Sequence, residues 1–194
     1  LALVYTTKNK LPQESVIVTT RVKTLKSILQ KLERKEYPHF ESPKDIINDL
    51  IGARVTCWFL DDCMGMNNFI LNSRQFHIIP KSEEDYIICP KESGYRSIHL
   101  LANVSYDSNA KTENGKTNIV HDEMICEIQV RTKLMDTWAD LTHEFQYKAK
   151  ALGIHDNELE KLLKHQATRF FAEDESFLAI RNVYQKMIDK TEHK

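Results

Sequence analysis

Two stretches of strict alternation, Tyr95 to Tyr106 (YRSIHLLANVSY) and Met124 to Arg131 (MICEIQVR), constrain this chain more than any other feature. Successive side chains of a strand point to opposite faces, so each stretch has two distinct rows. In the second, Met124, Cys126, Ile128 and Val130 are apolar, while Glu127, Gln129 and Arg131 form a polar row. In the first, Tyr95, Ser97 and His99 share one face and Arg96, Ile98, Leu100 and Ala102 the other. Between them, residues 107–116 are polar and end in Asn114-Gly115, a pair that favours a tight hairpin turn before the next strand, 117–131. Pairing the two strands brings the polar rows onto one concave surface over a packed back.

Around this hairpin, strand and helix patterns alternate. Residues 15–20 (SVIVTT) are β-branched, and RVKTLKSILQKL then carries Val22, Leu25, Ile28, Leu29 and Leu32 at helical spacing. Pro38 and Pro43 mark a loop, Ser42 or Asp45 can cap a short helix reaching Leu50, and 51–60 (IGARVTCWFL) reads as a buried strand. A helix is expected over 62–73, short strands over 75–80 and 85–89, and helices over 133–150 and from Asp156 to the end. Strands in the middle, with helices before, between and after, predict an α+β fold: a mixed central sheet of about five strands flanked by helices. Residues 1–150 read as one domain and 151–194 as a C-terminal helical extension.

Charge then narrows the partners. The 27 Lys and Arg nearly balance the 28 Asp and Glu, so the whole chain is not drawn to DNA, RNA or an anionic membrane. A phosphate site must be a local cluster. The apolar runs fall far short of the roughly 18 residues a span needs, and residues 1–10 lack a signal-peptide layout. A cytoplasmic protein with no membrane partner is expected. Cys57, Cys63, Cys89 and Cys126 contain no C-x-x-C pair and are expected as buried thiols.

Local clusters that suit phosphate are present. Lys23, Ser27 and Lys31 fall at i, i+4 and i+8, one stripe of a helix, with Arg21 just ahead of it. Such a stripe is often only a solvated face, yet its two cations and a hydroxyl also suit a polyphosphate. Asp49 and Arg54 bracket a glycine at the entry to a buried strand, where a carboxylate can reach a metal and a guanidinium can stack on a base. Mg²⁺ takes one or two protein carboxylates beside phosphate oxygens and waters, so Asp49 with Glu127 suffices.

In chain order, R-V-K-T-L-K-S-I-L-Q-K, D-L-I-G-A-R-V, P-K-E-S-G-Y-R-S-I-H-L, E-I-Q-V-R-T and W-A-D-L-T-H-E-F-Q-Y-K resemble the RelA/SpoT synthetase family over about residues 16 to 148. The closing segment, M-D-T-W-A-D-L-T-H-E-F-Q-Y-K, is most similar to the single-domain small alarmone synthetases. The resemblance implies a nucleotidyltransferase-like catalytic domain over 1–150, with Mg²⁺ as cofactor. The implied reaction moves the β,γ-pyrophosphate of ATP to the ribose 3′-hydroxyl of GDP or GTP, making (p)ppGpp. For ATP it implies that Arg21 and Arg54 sandwich the adenine and that Lys23, Ser27 and Lys31 hold the phosphates. For catalysis it implies Asp49 and Glu127 as Mg²⁺ ligands, with Glu127 also the base for the 3′-hydroxyl. For the acceptor it implies Tyr95 stacked on guanine, Lys91 and His99 on phosphate or ribose, and Ser97, Gln129 and Arg131 completing the polar row. His143, Tyr147 and Lys148 are expected to support the sheet.

The sequence departs from the family before Asp85-Tyr86: where Lys or Arg often faces phosphates, Glu83-Glu84 stand here, with Lys81 as the nearest substitute. The His121-Asp122 pair lies inside a strand between the third and fourth of these motifs, with no His and Asp cluster upstream of them, so the hydrolase activity of the long relatives is not expected. Two alternatives keep the fold. One is a toxin-type relative that pyrophosphorylates a tRNA 3′ end or an adenine nucleotide, against which the balanced charge argues; the other is a silent nucleotide-binding regulator, against which the retained Asp49 and Glu127 argue. In the tail, Leu159, Leu162, Leu163, Phe170, Phe177, Ile180, Val183 and Met187 are expected to cover the domain. Phe171, Leu178 and Tyr184 fall off that stripe and are expected to meet another subunit, making a homo-oligomer.

Overall fold

The computed structural model describes residues 1–39, 47–111, 117–151, 153 and 157–192. Its centre is a six-stranded mixed sheet. Strand β1 (Val16–Val22) pairs antiparallel with β2 (Ile51–Cys57), and β2 runs parallel to β6 (Thr117–Thr132). Strand β5 (Ile98–Lys111) lies antiparallel to β6, and the two-residue strands β3 (His77–Ile78) and β4 (Glu84–Asp85) both pair with β5. The helices are α1 (Ala2–Lys8), α2 (Leu25–Arg34), α3 (Leu60–Leu71), α4 (Lys133–Ala151) and α5 (Asn157–Glu192).

Alternation fixes what each face of the sheet does. Ile98, Leu100 and Ala102 of β5, Cys126, Ile128 and Val130 of β6, and Val55 and Cys57 of β2 form the packed row. They are covered by Cys63, Met66 and Ile70 of α3 and Tyr5 of α1. Helix α1 has no counterpart in the sequence reading, because seven residues (ALVYTTK) are too few to display a helical period. A Cβ on Gly65 of α3 would collide with the Tyr5 hydroxyl, so the two helices meet where α3 has no side chain. Cys57, Cys63 and Cys126 are buried as expected, but Cys89 is exposed.

Several boundaries differ from the expectations, the long strand expected from Tyr95 starting only at Ile98 and the one expected over 51–60 ending at Cys57, and three of the differences have a local reason. Strand β1 runs on through Val22, and α2 starts only at Leu25 because Thr24 caps it, its Oγ1 accepting from the Ser27 N–H at 3.3 Å. Residues 86–89 are a turn rather than a strand: Asp85 Oδ1 accepts from the N–H groups of Ile87 at 2.8 Å and Ile88 at 3.1 Å, which competes with the ladder. The β5–β6 ladder continues to the Lys111–Thr117 pair, so 107–111 are strand, not loop. Asn114-Gly115, Ser42, Asp45 and Asp156 lie outside the described residues, as does the side chain of Tyr147.

Helix α5 packs onto the same core: Leu159, Leu163 and Phe170 of the expected stripe are half-buried, but the second half of the helix turns a different face inward. Phe171 and Leu178 pack against the core beneath the sheet, while Phe177, Ile180, Val183 and Met187 are 50–61% exposed. Polar anchors decide the rotation. Asp174 accepts from Thr132 Oγ1 at 2.7 Å, and Arg181 reaches Asp61 at 2.8 Å and Asp62 at 3.1 Å. Further along, Trp138 Nε1 donates to the Leu163 carbonyl at 2.8 Å. Gly94 is required where β5 is approached: its φ is +93°, and a Cβ there would stand 2.8 Å from that of Ala167 on α5.

Candidate active site

The other face of the sheet is polar, and register builds it. Glu127 of β6 lies opposite Gly52 of β2 and Leu101 of β5; Gln129 lies opposite Arg54 and His99. On the outer side Arg21 is opposite Gly52, and Thr19 opposite Arg54. Arg21 and Arg54 thus stand on neighbouring strands, two residues out of step on the same face. A cleft between them is lined by Thr19, Thr20, Arg21, Asp49, Arg54, Glu127 and Gln129.

Asp49 enters this cleft from the turn before β2, which is tied to the start of α2 by the Lys23 N–H bond to the Leu50 carbonyl at 2.7 Å. The Lys23 and Lys31 ammonium groups each stand 2.6 Å from one Asp49 oxygen. Burial alone pushes this carboxyl up, but the two lysine hydrogen bonds outweigh it and hold it at about 2. Ser27 faces back to the helix cap, its Oγ 2.9 Å from Thr24 Oγ1. The basic stripe therefore converges on the carboxylate.

Glu127 is held by a second set of partners. His99 Nδ1 is 3.4 Å from Oε1, and Gln129 Nε2 donates to Oε2 at 2.8 Å. The His99 contact, against the opposing effect of burial, holds the Glu127 carboxyl below its ordinary range. The Tyr95 hydroxyl lies 2.9 Å from His99 Nε2. The Tyr95 ring is edge-on to Tyr86 at 6.4 Å, and the Lys91 ammonium sits 4.3 Å from the Tyr86 centroid and 5.5 Å from that of Tyr95. Lys91, Tyr95 and His99 therefore gather on one side of Glu127, with Arg21, Arg54 and Asp49 on the other and Gln129 between them on the strand of Glu127 itself.

Two members of the expected polar row sit below the surface instead. Ser97 is fully buried and its hydroxyl donates to the Val130 carbonyl at 3.1 Å. Arg131 is 1% exposed, its Nη2 2.6 Å from Asp136 of α4, and burial pulls its pKa down. Direct contact with a ligand is closed to both; they shape the floor. Asp136 also lies 3.0 Å from Arg54, and Asp140 lies 3.1 Å from it. The sequence reading missed both carboxylates, whose signal was i, i+4 spacing at the start of the helix that follows the polar strand. It also missed Tyr86. Glu83 is turned aside, accepting from Asn67 Nδ2 at 2.6 Å, while Glu84 of β4 lies opposite His99. Among the described residues no cluster of three or more His, Cys, Asp or Glu side chains could hold a metal; the carboxylates that line the cleft are Asp49 and Glu127.

Residues 20–151 match the region found in RelA / SpoT proteins. The chain belongs to the RelA/SpoT family. It is 37% identical over 131 residues to the GTP pyrophosphokinase YjbM of Bacillus subtilis, a match covering 68% of this chain and 56% of that protein. The matched stretch spans a little over half the length of the first curated relatives. Among solved structures, a GTP pyrophosphokinase family protein from Streptococcus pneumoniae superimposes with a TM-score of 0.73 at 30% identity, covering 95% of this chain and 84% of that one. The small alarmone synthetase 1 of Bacillus subtilis bound to its product pppGpp gives 0.70 at 31% identity, with 87% and 79% covered. The fifth family motif lies on α4, where Trp138 and Asp140 reach Tyr95 and Arg54, while His143 and Lys148, expected to support the sheet, are exposed. Helix α5 lies beyond the matched family region.

Proposed function

We propose that this protein is a nucleotide pyrophosphokinase that transfers the β,γ-pyrophosphate of ATP to the ribose 3′-hydroxyl of GDP or GTP. One observation carries the reading: Asp49 and Glu127 share a cleft between a pair of arginines with two lysines on one side and a Tyr–His–Lys group on the other. The relatives named for this activity support it.

Arg21 and Arg54 flank the gap into which the adenine stacks, Asp136 and Asp140 steadying Arg54. Lys23 and Lys31, now spent on Asp49, turn to the triphosphate when it arrives. That exchange leaves Asp49 and Glu127, both ionised near neutral pH, as hard oxygen ligands suited to Mg²⁺, an ion that needs few protein carboxylates beside phosphate oxygens. Bound there, Mg²⁺ supplies neutralisation of phosphate charge. The acceptor base stacks on Tyr95, with Lys91 at its phosphates. The 3′-oxygen attacks the β-phosphorus, the bond from that phosphorus to the α,β-bridging oxygen breaks, AMP leaves, and Glu127 takes the 3′-hydroxyl proton. Such transfers depend mainly on alignment and charge neutralisation. Ser97 and Arg131 act from beneath, holding the strands that carry His99 and Gln129.

The test is incubation with γ-labelled ATP, Mg²⁺ and GMP, GDP, GTP or deacylated tRNA in turn. Label is expected in GDP or GTP; label in tRNA alone, or in none of the four, contradicts the assignment.

The exposed stripe of Phe177, Ile180, Val183, Tyr184 and Met187 on α5 supports a homo-oligomer joined through this helix. Ile180→Glu tests it without disturbing the packed face. Light scattering should show a smaller particle, and a monomeric wild type removes the idea.

A further inference from the structure

A stacking platform needs only the ring of Tyr95, yet its hydroxyl is committed as well. It stands 2.9 Å from His99 Nε2. The other imidazole nitrogen, Nδ1, faces Glu127 Oε1 at 3.4 Å, and Gln129 takes the second carboxylate oxygen at 2.8 Å. An unbroken line of side chains runs from the acceptor platform to the carboxylate at the centre of the cleft. Its members are held from the side. Tyr86 packs edge-on against His99 with ring centroids 5.3 Å apart, and Trp138 lies 6.5 Å from Tyr95.

The hydrogens in this line have a direction. An ionised carboxylate can only accept, and a neutral imidazole has one donating and one accepting nitrogen. At neutral pH a phenol keeps its proton and a carboxylate is ionised, their ordinary pKa values being about 10 and about 4.3. With the ring neutral, one arrangement makes every contact donor to acceptor: Tyr95 O–H donates to Nε2, and Nδ1–H points at Glu127. The reverse tautomer sets a nitrogen lone pair against the carboxylate. The 3.4 Å contact is long for a full hydrogen bond, as contacts of this kind often are before substrate tightens them.

We propose that the Tyr95 hydroxyl is a positioning group, fixing the His99 tautomer whose Nδ1–H orients the Glu127 carboxylate toward the acceptor 3′-hydroxyl. The inference rests on the reading of Tyr95 as the acceptor platform and Glu127 as the base. No proton travels along the line: the 3′-hydroxyl proton passes to Glu127, and the phenol and imidazole only hold that carboxylate in place. Binding and chemistry are thereby joined in one residue. The ring holds the acceptor and the hydroxyl aligns the base that deprotonates it.

Tyr95→Phe separates the two roles, because it keeps the ring and removes the hydroxyl. The expected result is a kcat lowered about 10- to 100-fold, part of what a general base contributes, with the acceptor KM within about threefold of wild type. Tyr95→Ala should in addition raise that KM. A Tyr95→Phe enzyme with unchanged kcat, or with only its KM altered, overturns the inference. A second measurement is independent of turnover: ¹⁵N imidazole NMR of the free protein, with the His99 signals assigned by their loss in His99→Gln. The wild type should show Nδ1 protonated and Nε2 bare, and Tyr95→Phe should move His99 toward the other tautomer. Protonated Nε2 in an active wild-type enzyme overturns this inference alone. A wild type that transfers to no acceptor overturns the functional reading and this inference with it.

Discussion

Asp174 is a carboxyl buried at 2% exposure between α5 and the end of β6, with the Thr132 hydroxyl as its hydrogen-bond donor. Burial raises its pKa from 3.8 to about 6, and the Thr132 bond offsets only part of that. For an acid, a folded-state value above the unfolded one means that the native protein binds the proton more tightly. Stability is therefore fully present below pH 3.8 and is lost as pH rises through 6. At 1.36 kcal/mol per pH unit, the gap between 3.8 and about 6 corresponds to about 3 kcal/mol at pH 8, of which about 2 kcal/mol develops between pH 4 and pH 8.

Asp174→Asn removes the charge and keeps an oxygen for Thr132. The new amide N–H groups carry their own cost of about 1–3 kcal/mol, but that cost does not change with pH. Urea unfolding of both proteins at pH 4 and pH 8, at one protein concentration, isolates the pH-dependent part. The variant should gain about 2 kcal/mol on the wild type between the two values. Asp49, held at about 2, loses stability as pH falls from 3.8 toward 2, and this contribution cancels because both proteins carry it. A difference between the two proteins that stays constant across this range would show that Asp174 is not a buried acid strained by its charge.

Other substitutions probe the cleft. Glu127→Gln should lower kcat by about 10²–10⁴-fold, the usual contribution of a general base, with only a small loss of stability in urea, since the packed face of β6 is untouched and only the contact with His99 is weakened. Tyr95→Ala should weaken acceptor binding by about five- to 150-fold, the equivalent of roughly 1–3 kcal/mol of base stacking, and leave ATP affinity near wild type in calorimetry. Asp136→Ala should cost about 3 kcal/mol in denaturation, because it strands the buried Arg131 guanidinium, and should also raise the KM for ATP by loosening Arg54.

The arrangement of the cleft was legible because strand periodicity is short and strict. Once Glu127 and Gln129 are known to alternate with Cys126 and Ile128, and β5 is known to pair with β6, the face that carries His99 follows. What periodicity cannot report is depth within a face. Ser97 and Arg131 keep the expected parity, yet the helices packed at that end of the strands close over them, a consequence of tertiary packing alone. The rotation of α5 was hidden for a related reason. Its inward face carries Asp174 and Arg181, charged types that usually face water, and their partners Thr132, Asp61 and Asp62 lie far away in the chain. The strand expected at 85–89 failed on a single side chain, since Asp85 satisfies the N–H groups that a ladder would have used.

Pyrophosphoryl transfer differs from ordinary phosphoryl transfer in what remains of ATP. Chromatography of a reaction with Mg²⁺, ATP and GDP or GTP counts the adenine products against the modified guanine nucleotide. One AMP per acceptor converted is expected, with the two added phosphorus atoms in ³¹P NMR forming a diphosphate on the 3′-oxygen. ADP as the adenine product, or an acceptor carrying a single added phosphate, would contradict the assignment.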